Sequence, residues 1–144
     1  MSEHEVYNAQ EFNRLYKELD DLYHDAALKA GISDSGLTIL YTVCRMGDGC
    51  LQRDVCEQAC ISKQTVNSGI RKLEKEGYIY LEQGKGRDKH IYLTDVGKDF
   101  SRQHVCLLAE MEDNAFGTLD LAEQKELLRL VGKYVNHFRE RLER

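Results

Sequence analysis

Six polar side chains within ten residues have the types and spacing that can read nucleic acid: Lys63, Gln64, Asn67, Ser68, Arg71 and Lys72. Amide and guanidinium groups can pair with base edges in a major groove, and ammonium and hydroxyl groups can hold phosphate oxygens. Val66, Gly69, Ile70 and Leu73 interleave with them at helical spacing, so a helix here buries one stripe and leaves the polar one free. Ser62 suits its N-cap, Ile61 and Val66 a hydrophobic staple, and Gly77 its C′ stop. Any surface helix carries Lys, Gln and Asn on its wet face, so the neighbouring elements must decide whether this one reads or is merely solvated.

Those neighbours argue for reading. Residues 51–60 form a second short helix with Leu51, Val55 and Ala59 on one face, ending almost at Ser62, which is helix-turn-helix spacing. Downstream, residues 79–82 and 89–94 alternate as two strands, Ile79 and Leu81 facing Ile91 and Leu93. Gly84 and Gly86 supply the tight connection, with Lys85 and Arg87 at its tip and Lys89 just behind. The pattern is a helix-turn-helix followed by a basic wing. The expected DNA contacts are Ser62, Lys63, Gln64, Thr65, Asn67, Ser68, Arg71 and Lys72 on the helix and Lys85, Arg87 and Lys89 on the wing. Gln64, Asn67 and Arg71 are placed for bases, Lys63 for a phosphate and Arg87 for a minor groove.

In order and spacing, the runs 61–66, 73–79 and 86–89, followed by Leu93, Thr94 and Gly97, resemble the MarR family of winged-helix transcriptional regulators. The resemblance extends over almost the whole chain. It implies a homodimer held by long terminal helices, acting as repressor or less often activator on a pseudo-palindromic operator, and released by a small molecule. One departure stands out: the family wing often carries Asp two residues before its Arg, and this chain has Lys85 there. The family's effector crevice, between reader and helical frame, would draw on Tyr16, Tyr23 and His24 of the first helix and Tyr41 and Arg45 of the second. Aromatic walls beside one cation suit a small aromatic or anionic ligand, and ordinary half-buried packing is the competing account of the same tyrosines.

The chain has 144 residues, 42% of them hydrophobic and 31% charged, enough for a core of one folding unit or two small intimate ones. No apolar run approaches bilayer length and the N-terminal residues carry no apolar signal region, so the expectation is a cytoplasmic protein with no membrane association. The net charge of −5 looks wrong for a nucleic-acid binder until it is resolved along the chain. Residues 62–98 carry eight Lys and Arg against five Asp and Glu, a balance of +3 that leaves −8 for the remainder. A mildly basic reader is set in an acidic frame, and the frame's repulsion would orient the approach to DNA. Proline is absent, in keeping with helices whose turns are made by glycine.

The frame is expected at both ends. Asn8 suits an N-cap with Glu11 completing a capping box and Tyr7 and Phe12 a staple; Phe12, Leu15, Leu19, Leu22 and Ala26 then step by threes and fours to Gly31. Ser33 or Ser35 starts a brace helix with Leu37, Leu40, Tyr41 and Cys44 inward, closed by Gly47, and residues 47–50 read as a loop. Thr94 caps a helix with Phe100, His104, Leu108, Met111 and Ala115 inward. Asp120 and Glu123 start the last helix, where Leu128, Val131, Val135, Phe138 and Leu142 form a second heptad-like stripe beside Leu127, Leu130 and Tyr134. The two stripes can pack on each other within one chain or, as the resemblance implies, build a dimer. The expected fold is therefore mainly α with a small antiparallel hairpin wing. Residues 33–97 form the winged helix-turn-helix, and residues 1–32 and 98–144 the helical dimerisation region.

No enzyme motif or phosphate loop is present in a context that could work, and an enzyme is not expected; nor is a cofactor. The His residues are scattered, and His104 and Cys106 face different ways, so no metal site is expected. Five cysteines without a secretion signal argue for reduced thiols. Cys56 and Cys60 lie one helical turn apart and could sense oxidants, while Cys44, Cys56 and Cys60 all also suit small apolar packing. Two alternatives to the ligand-released regulator stay open: a thiol-based redox regulator, and a winged-helix module that uses the same surface to hold a protein.

Overall fold

The computed structural model describes residues 8–59 and 61–144. It is mainly helical, with one two-stranded antiparallel sheet: α1 (Ala9–Ala30), α2 (Asp34–Met46), α3 (Gln52–Gln58), α4 (Lys63–Lys75), β1 (Ile79–Gln83), β2 (Lys89–Leu93), α5 (Asp95–Phe100), a π-helical turn (Ser101–Val105), α6 (Cys106–Phe116) and α7 (Leu121–Leu142). The chain divides into two compact units, one ending at Leu108 and the other running from Ala109 to Arg144.

In the first unit a single apolar cluster sits beneath the helix-turn-helix. Ile39, Leu40 and Val43 of α2, Val55 of α3, Val66, Ile70 and Leu73 of α4, Ile91 of β2 and Val105 are all essentially inaccessible. The stripe read on α4 is thus the face that packs. Gly69 lets α4 lie close to α2, since a Cβ there would stand 2.6 Å from the Ile39 Cδ1. Ser33, rather than Ser35, caps α2, its hydroxyl accepting from the Gly36 N–H at 3.1 Å.

The start of α1 departs from expectation. Asn8 caps it by accepting from the Gln10 N–H, and the Glu11 carboxylate engages Arg14 at 3.1 Å instead of completing a capping box. An exposed carboxylate one turn from a guanidinium gains a charge-assisted contact along the helix, which competes with bending back to the cap. The staple through Tyr7 lies outside the described residues.

A second correction concerns the helix after Thr94. Its buried positions are Gly97, Ser101, Val105 and Ala109, whereas His104, Met111 and Ala115 are exposed and Phe100 and Leu108 half-buried. A uniform spacing of four drifts around a regular α-helix, but the wider π turn at Ser101–Val105 absorbs the drift and keeps one face inward. His104 is therefore no core histidine; its ring lies against Phe100 with centroids 4.8 Å apart.

In the second unit, α7 begins with a complete capping box: Asp120 accepts from the Glu123 N–H, and the Glu123 carboxylate accepts from the Asp120 N–H. Gln124 reaches back to the carbonyls of Phe116 and Leu119, fixing the turn between α6 and α7. No residue of the 22-residue α7 is buried. No helix among the described residues is long and apolar enough to cross a membrane.

Candidate nucleic-acid interface

Helix α4 begins where Ser62 turns its hydroxyl to the Thr65 N–H at 3.1 Å, and the two hydroxyls also bond each other at 2.7 Å. Ser62 and Thr65 thereby build the helix start, which leaves less of either hydroxyl for an outside partner. Beyond the cap, Lys63, Gln64, Ser68, Arg71 and Lys72 are exposed and Asn67 is half-buried. Lys63, Gln64, Asn67, Ser68 and Arg71 line one shallow depression along the helix.

Asn67 is half-buried because α3 holds it. The Gln52 side-chain amide donates to the Asn67 Oδ1 at 2.8 Å, a bond that leaves out the Asn67 NH₂ group. Sequence reading missed Gln52, and a lone glutamine on a short helix gives no signal of it.

The wing is positioned from three sides. Its register pairs Ile79 with Leu93, Tyr80 with Tyr92, Leu81 with Ile91, Glu82 with His90 and Gln83 with Lys89. The tip is tied internally: Gln83 donates to the Gly86 carbonyl at 2.6 Å, the Gly84 N–H to the Asp88 carbonyl at 2.8 Å, and Gly86 takes the left-handed φ of 60° that the turn requires. Residues 47–51 do more than loop. The Gly49 N–H donates to the Ile91 carbonyl, the Ile91 N–H to the Cys50 carbonyl, and Leu51 bridges to His90, adding a third short edge to β2. The Asp48 carboxylate accepts from the Leu93 N–H at 2.7 Å, and His90 Nδ1 lies 2.8 Å from the Gly49 carbonyl oxygen.

Lys85, Arg87 and Lys89 are exposed at the wing end. Arg53 of α3 reaches Asp88 at 3.5 Å, an ion pair that ties the wing to the helix-turn-helix. A cavity between α3, α4 and the wing is lined by the cations Arg53, Lys63, Arg87 and Lys89, together with Gln52, Asn67, Cys56, Glu57 and Asp88. Lys63 and Asn67 of the helix are therefore neighbours of Arg87 and Lys89 of the wing, and Arg53 joins them from an element that sequence reading treated only as support.

The residues expected around an effector lie on α1 and α2. Tyr41 and Arg45 meet on α2, the guanidinium donating to the Tyr41 hydroxyl at 3.2 Å with its carbon 5.3 Å from the ring centroid. His24 bonds Asp34 at 2.8 Å, and that hydrogen bond, then the charge of the same carboxylate, raise the imidazole above its ordinary range. Tyr23 is half-buried, and Tyr16 keeps 58% of its surface exposed.

The thiols fall differently from the pattern read along the chain. Cys60 lies outside the described residues, so its relation to Cys56 is not described. Cys44 of α2 and Cys106, the first residue of α6, bring their sulfurs to 2.8 Å. No local signal marks this pair, whose members are 62 positions apart. Burial pushes the Cys50 thiol up, with Asp54 and Asp48 adding to the effect. Among the described residues no three His, Cys, Asp or Glu side chains gather in a way that could hold a metal ion.

A capped helix-turn-helix, a hairpin behind it and a polar outer helix face define a winged helix-turn-helix protein. Residues 30–88 match the model of the MarR family. Solved structures agree along nearly the full length. A MarR family regulator from Neisseria meningitidis superposes with a TM-score of 0.78 at 18% identity, covering 95% of this chain and 98% of that one. S. aureus MepR in its DNA complex gives 0.69 at 22% identity, covering 93% and 99%. A MarR transcriptional regulator from Methanosarcina mazei Go1 gives 0.64 at 20%, covering 92% and 89%. No curated protein matches the sequence. The likeness to the MarR family read along the sequence is thus matched over the winged-helix region, residues 30–88.

Proposed function

We propose that the protein is a DNA-binding transcriptional regulator that acts as a homodimer, most simply as a repressor, with α4 in the major groove and the wing beside it. The observation that carries this reading is the two-sidedness of α4. Val66, Gly69, Ile70 and Leu73 are buried, while Lys63, Gln64, Ser68 and Arg71 face solvent, and Lys63 shares a cavity with Arg53, Arg87 and Lys89. The S. aureus relative of similar fold is seen bound to DNA, which supports the same use of this surface.

The dimer reading rests on uncovered apolar surface. Leu128, Phe138 and Leu142 of α7 expose 64%, 51% and 72%, and Leu15, Leu19 and Leu22 of α1 expose 58%, 50% and 64%. Large apolar side chains in rows of this kind mark association surfaces, and a two-fold pair of readers addresses half-sites about 34–36 Å apart on one face of the duplex. The Arg45–Tyr41 couple supports release by a planar anionic ligand.

The test is selection of fragments from the native genome, followed by titration of a retained fragment at several salt concentrations. Each neutralised phosphate adds about −0.9 to the slope of log K against log salt, so a groove-bound dimer gives a steep slope. A protein-docking module gives no retained fragment and no slope on DNA.

A further inference from the structure

We propose that Cys44 and Cys106 form an oxidisable dithiol that closes to an intramolecular disulfide on reaction with a peroxide, and that closure weakens DNA binding. The second half rests on the regulator reading above; the first does not.

The sulfurs stand 2.8 Å apart, and a disulfide bond measures about 2.05 Å, so closure asks for a movement of about 0.8 Å. Both side chains are half-buried, close enough to solvent for a small oxidant and shielded from larger thiols. Cys44 is held by its helix, whose neighbouring Leu40 and Val43 are fully buried, and Cys106 follows Val105, which is equally buried at the end of the π turn. Two cysteines fixed by their backbones at this separation form an intramolecular bond faster than either meets a second chain. Cys50 is a poorer nucleophile, since burial and two carboxylates keep its thiol protonated.

The chemistry balances with the peroxide as the sole oxidant. One thiol gives up its proton and its sulfur attacks the O–O bond, taking one oxygen as a sulfenic acid while the other leaves as an alcohol with that proton. The second thiol then attacks this sulfur. The S–S bond forms, the S–O bond breaks, and water leaves with the second thiol's proton. Two electrons pass from the sulfurs to the peroxide.

Closure draws α2 towards the start of α6, and α2 is the seat of α4 through the close approach of Ile39 to Gly69. A crosslink there restricts how the reading helix can adjust in a groove.

The full-length protein is treated with an alkyl hydroperoxide, its free thiols counted, its disulfides mapped by peptide mass spectrometry, and its affinity for a selected DNA fragment measured before and after. The expected result is loss of two thiols of the five, a mapped Cys44–Cys106 bond within one chain, and affinity lowered about fivefold or more, restored by dithiothreitol. Cys44→Ser and Cys106→Ser each bind as the reduced parent does and resist the peroxide; Cys44→Ala and Cys106→Ala replace them if a hydroxyl is not tolerated there. A bond mapped to other cysteines or between chains overturns the proposal, as does no thiol loss, or unchanged affinity in protein whose bond is mapped. Reduced parent protein that binds no fragment contradicts the regulator reading instead, and the map alone then decides the dithiol.

Discussion

The Gln52 side-chain amide donates to Asn67 Oδ1 across the helix-turn-helix, at 2.8 Å. With that oxygen engaged, Asn67 meets a base chiefly as a donor, which favours acceptor edges such as purine N7 over the two-bond pairing with adenine. Asn67→Ala should cost about 1–3 kcal/mol on a selected operator and relax preference at one position per half-site. Gln52→Ala should leave overall affinity closer to the parent but broaden the preference at that same position, because Asn67 can then turn its oxygen outward. Binding to an operator library substituted at each position checks this, and a Gln52→Ala profile identical to the parent would show that α3 does not orient Asn67.

The wing should act through Arg87. It sits beyond the Gly86 turn, and the Arg53–Asp88 pair fixes the strand behind it. Arg87→Ala should weaken binding most on operators with A·T-rich flanks, whose narrow minor groove attracts a guanidinium. Asp88→Asn should loosen the wing and reduce that flank preference without abolishing binding. Equal losses for Arg87→Ala on A·T-rich and G·C-rich flanks would mean a phosphate contact only.

Much of this arrangement is legible along the chain because it is local. The stripe of α4, the caps at Ser62, Thr94 and Asp120, and the pairing of Ile79 and Leu81 with Leu93 and Ile91 all follow from spacings of two to four residues. What was not legible depends on distance or on a break in regularity. One extra residue in the π turn moves the buried face from His104 to Val105, and periodicity alone cannot announce that. The Gln52–Asn67 bond, the Asp48 contact to β2 and the Cys44–Cys106 approach join residues 15, 45 and 62 positions apart. In the effector set, spacing placed Tyr41 beside Arg45, but only the fold shows that His24 is already engaged by Asp34.

Gly97 is held to glycine by a close approach. A Cβ there would overlap the Tyr78 carbonyl oxygen, where Thr94 both caps α5 and donates to the Gly77 carbonyl at 2.6 Å. Gly97→Ala should destabilise the protein by about 3 kcal/mol, the upper range for overpacking, and lower Tm by about 6–12 °C. An unchanged thermal unfolding curve would contradict the contact between α5 and the start of β1.

The exposed face of α7 should govern assembly. Phe138→Asp or Val135→Asp places a charge on a row in which Leu128, Val135, Phe138 and Leu142 expose 41% and more, and should turn a dimer into a monomer by sedimentation, with far-UV circular dichroism retained. A variant that stays a dimer would move the interface away from this face.

Whether the outer face of α4 reads sequence is tested by a ratio of affinities. Binding of a selected operator and of the same fragment scrambled should be compared for the parent, Gln64→Ala and Arg71→Ala at one salt concentration. Each variant should lose about 1–3 kcal/mol on the operator and much less on the scrambled fragment, so the ratio falls. Variants that weaken both fragments equally, leaving the ratio of the parent intact, would contradict sequence reading by α4.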